Sequence, residues 1–217
     1  MMNIILTLND IIFGIIFSCW VAFVTLYLSR IFAKTFNTYV ARKMLHILGG
    51  GIVAIFSPFV FSSPLIPIIA SYIIMGYLLI TRKYGRVLKW FQEESNIGEI
   101  YFSFSFGTIL LIMWIIDNNF WYSNEVWITI LPLIFMSFGD GITGIIRNYV
   151  YKERKKGLWG TFGMAIFCTS VGYLVYGLIG VISAIIATIA ELSTKVDDNL
   201  TVPFASFLTL LFFNKIF

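Results

Sequence analysis

Charge is what this sequence has least of. Only 12% of its 217 residues are Asp, Glu, Lys or Arg, while 59% are apolar, and the mean hydropathy is +0.90. A soluble domain is about half apolar and a quarter charged. The shortage excludes a disordered chain, an ordinary soluble globule and a nucleic-acid binder that works through a basic polar surface. Cysteine is scarce as well: Cys19 and Cys168 both lie inside apolar runs, which excludes a disulfide framework and any zinc-ligand spacing. No polar stretch is long enough for a soluble domain. Strand-type alternation is missing, which excludes a membrane barrel. The first apolar run lacks a basic leader and a small-residue cleavage site, so it reads as a retained helix rather than a signal peptide.

What is present is a series of long Ile, Leu, Phe and Val runs. Eight segments can be drawn, at roughly 9–29, 44–61, 64–81, 98–116, 126–146, 159–176, 178–191 and 200–217. A membrane crossing needs ~20 apolar residues, and lipid leaves the backbone no partner outside its own helix. The expectation is an all-α, polytopic transmembrane helix bundle of seven or eight spans, forming a single integral membrane domain over 1–217. The seventh segment is short, which leaves it open between a span and a re-entrant piece.

The few basic residues are not scattered. Arg30, Lys34, Arg42 and Lys43 follow segment one, and Arg82, Lys83, Arg86 and Lys89 follow segment three. Arg147, Lys152, Arg154, Lys155 and Lys156 follow segment five, and Lys195 follows segment seven. The intervening connections carry no Lys or Arg. Such alternation, read by the positive-inside rule, puts the basic loops in the cytoplasm and both termini outside.

Acidic groups near a membrane are costly, so each needs a reason. Asp10 stands at a helix start, Asp117 and Glu125 in an outer loop, and Glu93 and Glu94 in a polar cytoplasmic one. Asp140 is different. It lies inside an apolar run, in Gly139-Asp140-Gly141-Ile142-Thr143-Gly144, with Arg147 two turns on. That spacing puts Asp140, Thr143, Gly144 and Arg147 on one helix face. Two readings stand: a buried Asp–Arg or Asp–Lys pair that fixes helix packing, or a metal or phosphate site reached from the cytoplasm. The string also fits G-x-G-x-x-G, but that fingerprint needs a preceding strand, which membrane helix excludes. Its glycines suit close helix approach, or the approach of a phosphate to the backbone.

Three further groups fall at cytoplasmic helix ends. Lys155 and Lys156 lead into Gly157, Gly160 and Thr161, a cationic run followed by a helix start, suited to a polyphosphate or to anionic lipid heads. Glu191, Asp198 and Asn199 offer hard oxygen ligands of the kind Mg²⁺ takes, or else a helix cap at Asp198 or Asn199. Lys43 and His46, the lone histidine, open the second helix in Arg42-Lys43-Met44-Leu45-His46. Glu99 begins the fourth segment, as a cap or facing the site. A transporter is expected to hold its polar groups near the bilayer midplane. One-sided clustering is expected of an enzyme that meets a soluble co-substrate and a lipid at the interface.

In these motifs the sequence resembles the integral-membrane lipid kinases, the family of dolichol kinase, phytol kinase and CTP-dependent diacylglycerol kinase, distantly similar to phosphatidate cytidylyltransferases. The resemblance covers about 40–205, leaving 1–39 as an additional N-terminal helix and loop. It rests on Arg42-Lys43 with His46, Gly139-Asp140, Lys155-Lys156 before Gly160-Thr161, and Glu191 with Asp198-Asn199 and Pro203. It implies CTP as phosphoryl donor, a divalent cation such as Mg²⁺, and a long-chain isoprenoid alcohol (dolichol, polyprenol or phytol-like) as acceptor, at the cytoplasmic face.

The resemblance further implies a metal or catalytic role for Asp140, Glu191 and Asp198. It implies nucleotide contacts for Lys155, Lys156, Gly160 and Thr161, with Gly139, Gly141, Arg147, Lys43, His46 and Asn199 beside them. Two positions depart from the family pattern: Trp159 stands where Glu is expected before Gly160, and Arg147 where Gly is usual. They fall in the region implied to hold the nucleotide. Diacylglycerol phosphorylation, cytidylyl transfer to a lipid and a non-catalytic lipid carrier are the alternative expectations.

Overall fold

The computed structural model describes residues 5–93, 96–152, 157–193 and 196–216. Among them there is no strand, only an isolated antiparallel bridge between Glu93 and Asn96. The helices are α1 (Leu8–Thr35), α2 (Thr38–Val60), α3 (Leu65–Lys83), α4 (Gly98–Ile116), α5 (Val126–Tyr151), α6 (Leu158–Glu191) and α7 (Asp198–Ile216). The first six are long and apolar enough to cross a membrane. In α5 83% of the apolar window is buried, against 6% in α1, so α5 is the axis of the bundle and α1 its rim.

Asp10 does more than start α1. It forms a capping box with Thr7, accepting the Thr7 amide at 2.6 Å while its own amide donates to Thr7 Oγ1 at 3.3 Å. Its other oxygen accepts the Ser62 amide at 2.6 Å, tying α1 to the α2–α3 connection. On the same end Trp121 Nε1 donates to the Phe61 carbonyl at 2.8 Å, and Tyr122 to that of Ser62.

Three helices carry a π-helical turn: Val24–Leu28 in α1, His46–Gly51 in α2 and Phe135–Gly139 in α5. Such turns loosen the regular hydrogen-bond ladder and re-aim neighbouring side chains. Two indoles take carbonyls within them. Trp90 Nε1 donates to Thr25 O at 2.9 Å and Trp20 Nε1 to Leu48 O at 2.8 Å. The turns in α2 and α5 lie immediately beside Lys43 and Asp140.

α6 is one 34-residue element with a reversal inside it. Tyr176 (φ −135°, ψ 19°) and Gly177 (φ 57°, ψ −141°) leave helical geometry, and the left-handed φ suits a glycine. The arms, 158–175 and 178–191, then run back along each other. They touch backbone to backbone, for a Cβ at Gly172 would lie 2.5 Å from the Gly180 carbonyl oxygen. The break falls at Tyr176 and Gly177, where the sixth and seventh apolar segments divide, and Gly180 serves the contact between the arms. At the tip Tyr176 donates to Asn214 Oδ1 at 2.8 Å, and Asn214 Nδ2 to Glu125 Oε1 at 3.0 Å. Glu125 is therefore tied to the end of α7 and not merely solvated.

The starts of α2, α4 and α7 and the ends of α3, α5 and the second arm of α6 thus share one end of the bundle. This is the end of the basic connections. Lys155, Lys156, Arg154, Glu94 and Lys195 lie outside the described residues.

Candidate functional site

Asp140 is the first residue after the π-helical turn of α5 and is 1% exposed. Lys43, equally buried, donates to both its carboxylate oxygens, at 2.6 and 2.5 Å. His46 Nδ1 lies 3.5 Å from the nearer oxygen, and its ring packs against Phe102 at 4.4 Å between centroids. α2 can approach α5 this closely because of the motif glycines. A Cβ at Gly144 would lie 2.6 Å from Lys43 Cε, and one at Gly141 2.5 Å from Ile47 Cγ1. Gly139 makes the same room for Cys168 Sγ, at 2.7 Å. The glycines of the string are thus used for helix approach.

Two turns along α5, Arg147 reaches across to α6. Its Nη1 and Nη2 donate to Glu191 Oε1 and Oε2 at 2.7 and 3.1 Å, and Nη2 to Thr161 Oγ1 at 3.3 Å. A straight helix of 34 residues would be about 51 Å long, yet one guanidinium touches both its ends. Gly160 seats the Arg147 side chain, since a Cβ there would lie 2.7 Å from Arg147 Cγ and Nε. Thr143 joins the same two helices, donating to Gly139 O at 2.8 Å and to Gly160 O at 3.3 Å.

The face that sequence spacing assigned to Asp140, Thr143, Gly144 and Arg147 is therefore real, but it is shared between two partners. Asp140 and Gly144 meet Lys43 of α2, while Thr143 and Arg147 meet α6. Asp140 and Arg147 do not pair with each other.

Asp198 completes the group. Oxygens of Asp140, Glu191 and Asp198 lie within 4.8 Å of one another. Asp198 is half-buried and has no ion-pair partner among the described residues. Oxygens around one hexacoordinate Mg²⁺ stand about 3–4 Å apart, so a small closure of this triad fits a divalent cation. The cap of α7 is neither Asp198 nor Asn199 but Asp197, whose Oδ1 accepts the Asn199 amide at 3.0 Å. That corrects the sequence expectation and leaves Asp198 to join Asp140 and Glu191. Asn199 is buried, and its carbonyl accepts from Ser105 Oγ at 2.6 Å.

Glu99 belongs to a neighbouring group rather than to a simple cap. Its Oε1 accepts from Arg82 at 2.7 Å and from Gln92 at 3.0 Å, and Arg82 also holds the carbonyls of Glu93 and Asn96. This ties Gln92, Glu93 and Asn96 to the same end. Sequence reading missed Gln92 and the burial of Arg42. The only available signal for Arg42 was its position four residues before His46.

Chemically, the end combines three convergent carboxylates with buried cations. Fold and site together define an all-helical, multi-pass membrane protein with a buried ionic cluster at one end. Comparison of the chain with protein-family models, with curated proteins and with solved structures finds no match.

Proposed function

We propose that this protein is a CTP-dependent lipid kinase. It phosphorylates the hydroxyl of a long-chain isoprenoid alcohol at the cytoplasmic face, and its chain crosses the membrane eight times, counting each arm of α6. One observation carries this reading. Carboxylates from three separate parts of the chain, Asp140, Glu191 and Asp198, come within 4.8 Å of one another at the end that bears the basic connections.

The chemistry asked of this site is phosphoryl transfer. The acceptor hydroxyl forms a bond to the γ-phosphorus, the bond to the β–γ bridging oxygen breaks, CDP leaves, and the hydroxyl proton passes to a base. Asp140, Glu191 and Asp198 would hold a divalent cation, which would neutralise the phosphate oxygens as charge moves to the leaving group. Lys43 and Arg147 hold Asp140 and Glu191 in place, and Asp198 is the carboxylate left open. Lys155 and Lys156 are assigned to the phosphates by the resemblance. The nucleotide arrives from water and the alcohol sideways from the leaflet, which suits a site at a helix-bundle end.

The test is transfer of radiolabelled γ-phosphate from CTP to a panel of polyprenols by detergent-purified protein. The expected result is a labelled lipid phosphate with CDP, and a loss of about 100-fold or more in Asp140→Asn. Undiminished transfer in Asp140→Asn would sink the assignment. Pyrophosphate in place of CDP would identify cytidylyl transfer instead. Substrate movement without nucleotide turnover would identify a carrier.

A further inference from the structure

The cations at the basic end do not stand alike. Lys43 is bound to both oxygens of Asp140, and Arg147 to both of Glu191. Arg42 is as deeply buried, at 3% exposure, but its Nε and Nη1 have no hydrogen-bond partner, and no carboxylate among the described residues pairs with it. An arginine keeps its charge in any protein environment and presents five donors. A buried charge without a counter-charge is strongly unfavourable. The group calls for an anion.

Its position indicates where that anion sits. On α2, Lys43 faces α5. One turn beyond Arg42, His46 packs on Phe102 of α4, and Leu45 packs with the cluster of Leu78, Phe91 and Ile100. Arg42 lies three and four residues before these two and so shares their side of the helix. By this register Arg42 lies on the side of α2 turned toward Leu78, Phe91 and Ile100, at the end where α4 also starts. The first turn of α4 adjoins the first turn of α7, since a Cβ at Gly98 would lie 3.0 Å from Asn199 Nδ2 and from Asp197 Oδ2. Asn199 Oδ1 and Glu99 Oε2 are also buried there without a partner. The charge of Glu99 is already met by Arg82 through its other oxygen.

We propose that Arg42 is the phosphate-binding cation of this site, holding a phosphate group against the first turns of α4 and α7. Both helices are 19 residues long, and a helix start favours an anion. That the anion is a phosphate rests on the phosphoryl-transfer reading; that one is needed rests on the burial of Arg42. A nucleotide and a phosphorylated lipid carry the same group.

The test is the shift in thermal unfolding of detergent-purified protein with tripolyphosphate, CTP and polyprenyl phosphate, each titrated separately. Wild type is expected to be stabilised saturably, and Arg42→Gln to weaken the effective ligand about tenfold or more, with Arg42→Lys between them. Response to tripolyphosphate and CTP marks the nucleotide as source; response to polyprenyl phosphate alone marks the lipid. Equal affinities in Arg42→Gln, or no response of wild type to any of the three, overturns the proposal. Should Arg42→Gln not fold, phenylglyoxal labelling of Arg42 in wild type decides: protection by tripolyphosphate, CTP or polyprenyl phosphate supports the proposal, and equal labelling with all three overturns it. Arg42-dependent anion binding without CTP turnover would remove the kinase reading and keep this site. CTP turnover with unaltered anion binding in Arg42→Gln would do the reverse.

Discussion

Lys43 and Asp140, 97 positions apart in the chain, meet inside the bundle with the ammonium on both carboxylate oxygens. Neither side chain reaches water, so each depends on the other. Arg147 and Glu191 form a second buried ion pair.

Breaking the second pair by one partner only should therefore be severe. Arg147→Gln is expected to lower stability by about 3–5 kcal/mol, because it removes a counter-charge and two charge-assisted hydrogen bonds from buried Glu191. The double change Arg147→Met with Glu191→Leu is expected to recover most of that loss. Thermal unfolding in detergent measures both. A single variant as stable as wild type would show that Glu191 finds solvent or another partner.

Asp198 offers a cleaner test of metal binding than Asp140, since its neutralisation strands no cation. Asp198→Asn is expected to raise the Mg²⁺ concentration needed for half-maximal phosphoryl transfer by about tenfold. It should also reduce any thermal stabilisation by Mg²⁺. An unchanged Mg²⁺ titration on both readouts would remove Asp198 from the ligand set.

Glycine substitutions should split by sign. Gly180→Ala drives a methyl group into the backbone of Gly172 and is expected to cost about 1–3 kcal/mol. Gly76→Ala, inside α3 with nothing within 4 Å of the new Cβ, is expected to gain about 0.5–1 kcal/mol. Unfolding midpoints decide, and equal effects at the two sites would contradict the close approach of the α6 arms.

Orientation is testable with single cysteines in a Cys19→Ser background, Cys168 being buried. Ser123→Cys is expected to react with an impermeant maleimide in intact cells, and Tyr84→Cys only after permeabilisation. The opposite pattern would invert the cytoplasmic assignment of the basic loops.

Asp140 was legible from sequence because a carboxylate inside an apolar run demands a reason. Glu191 and Asp198 were legible because acids at a cytoplasmic helix end offer hard oxygen ligands of the kind a divalent cation takes. Their partners were not. No periodicity links Lys43 to Asp140 or Arg147 to Glu191, and which helices adjoin is decided by tertiary packing. The π-helical turns at His46–Gly51 and Phe135–Gly139 were equally hidden, since one extra residue in a uniformly apolar run leaves the pattern unaltered. The cap fell on Asp197 rather than on its neighbours because three consecutive polar residues all suit a helix start, and only backbone geometry chooses among them. Arg42 was read as part of a motif, and its buried, unpartnered Nε and Nη1 became visible only in the structure.

The reversal at Gly177 has a counting consequence. Arg147 and Glu191 touch, so the chain between them must leave their end of the bundle and return to it, an even number of passages. Were Tyr176 and Gly177 to continue the helix, the number would become odd. Glu191, Asp198 and everything after them would then emerge on the far side from Asp140. The parity of the chain, and with it the existence of a shared carboxylate site, is set by one left-handed residue about four turns of helix away from Glu191.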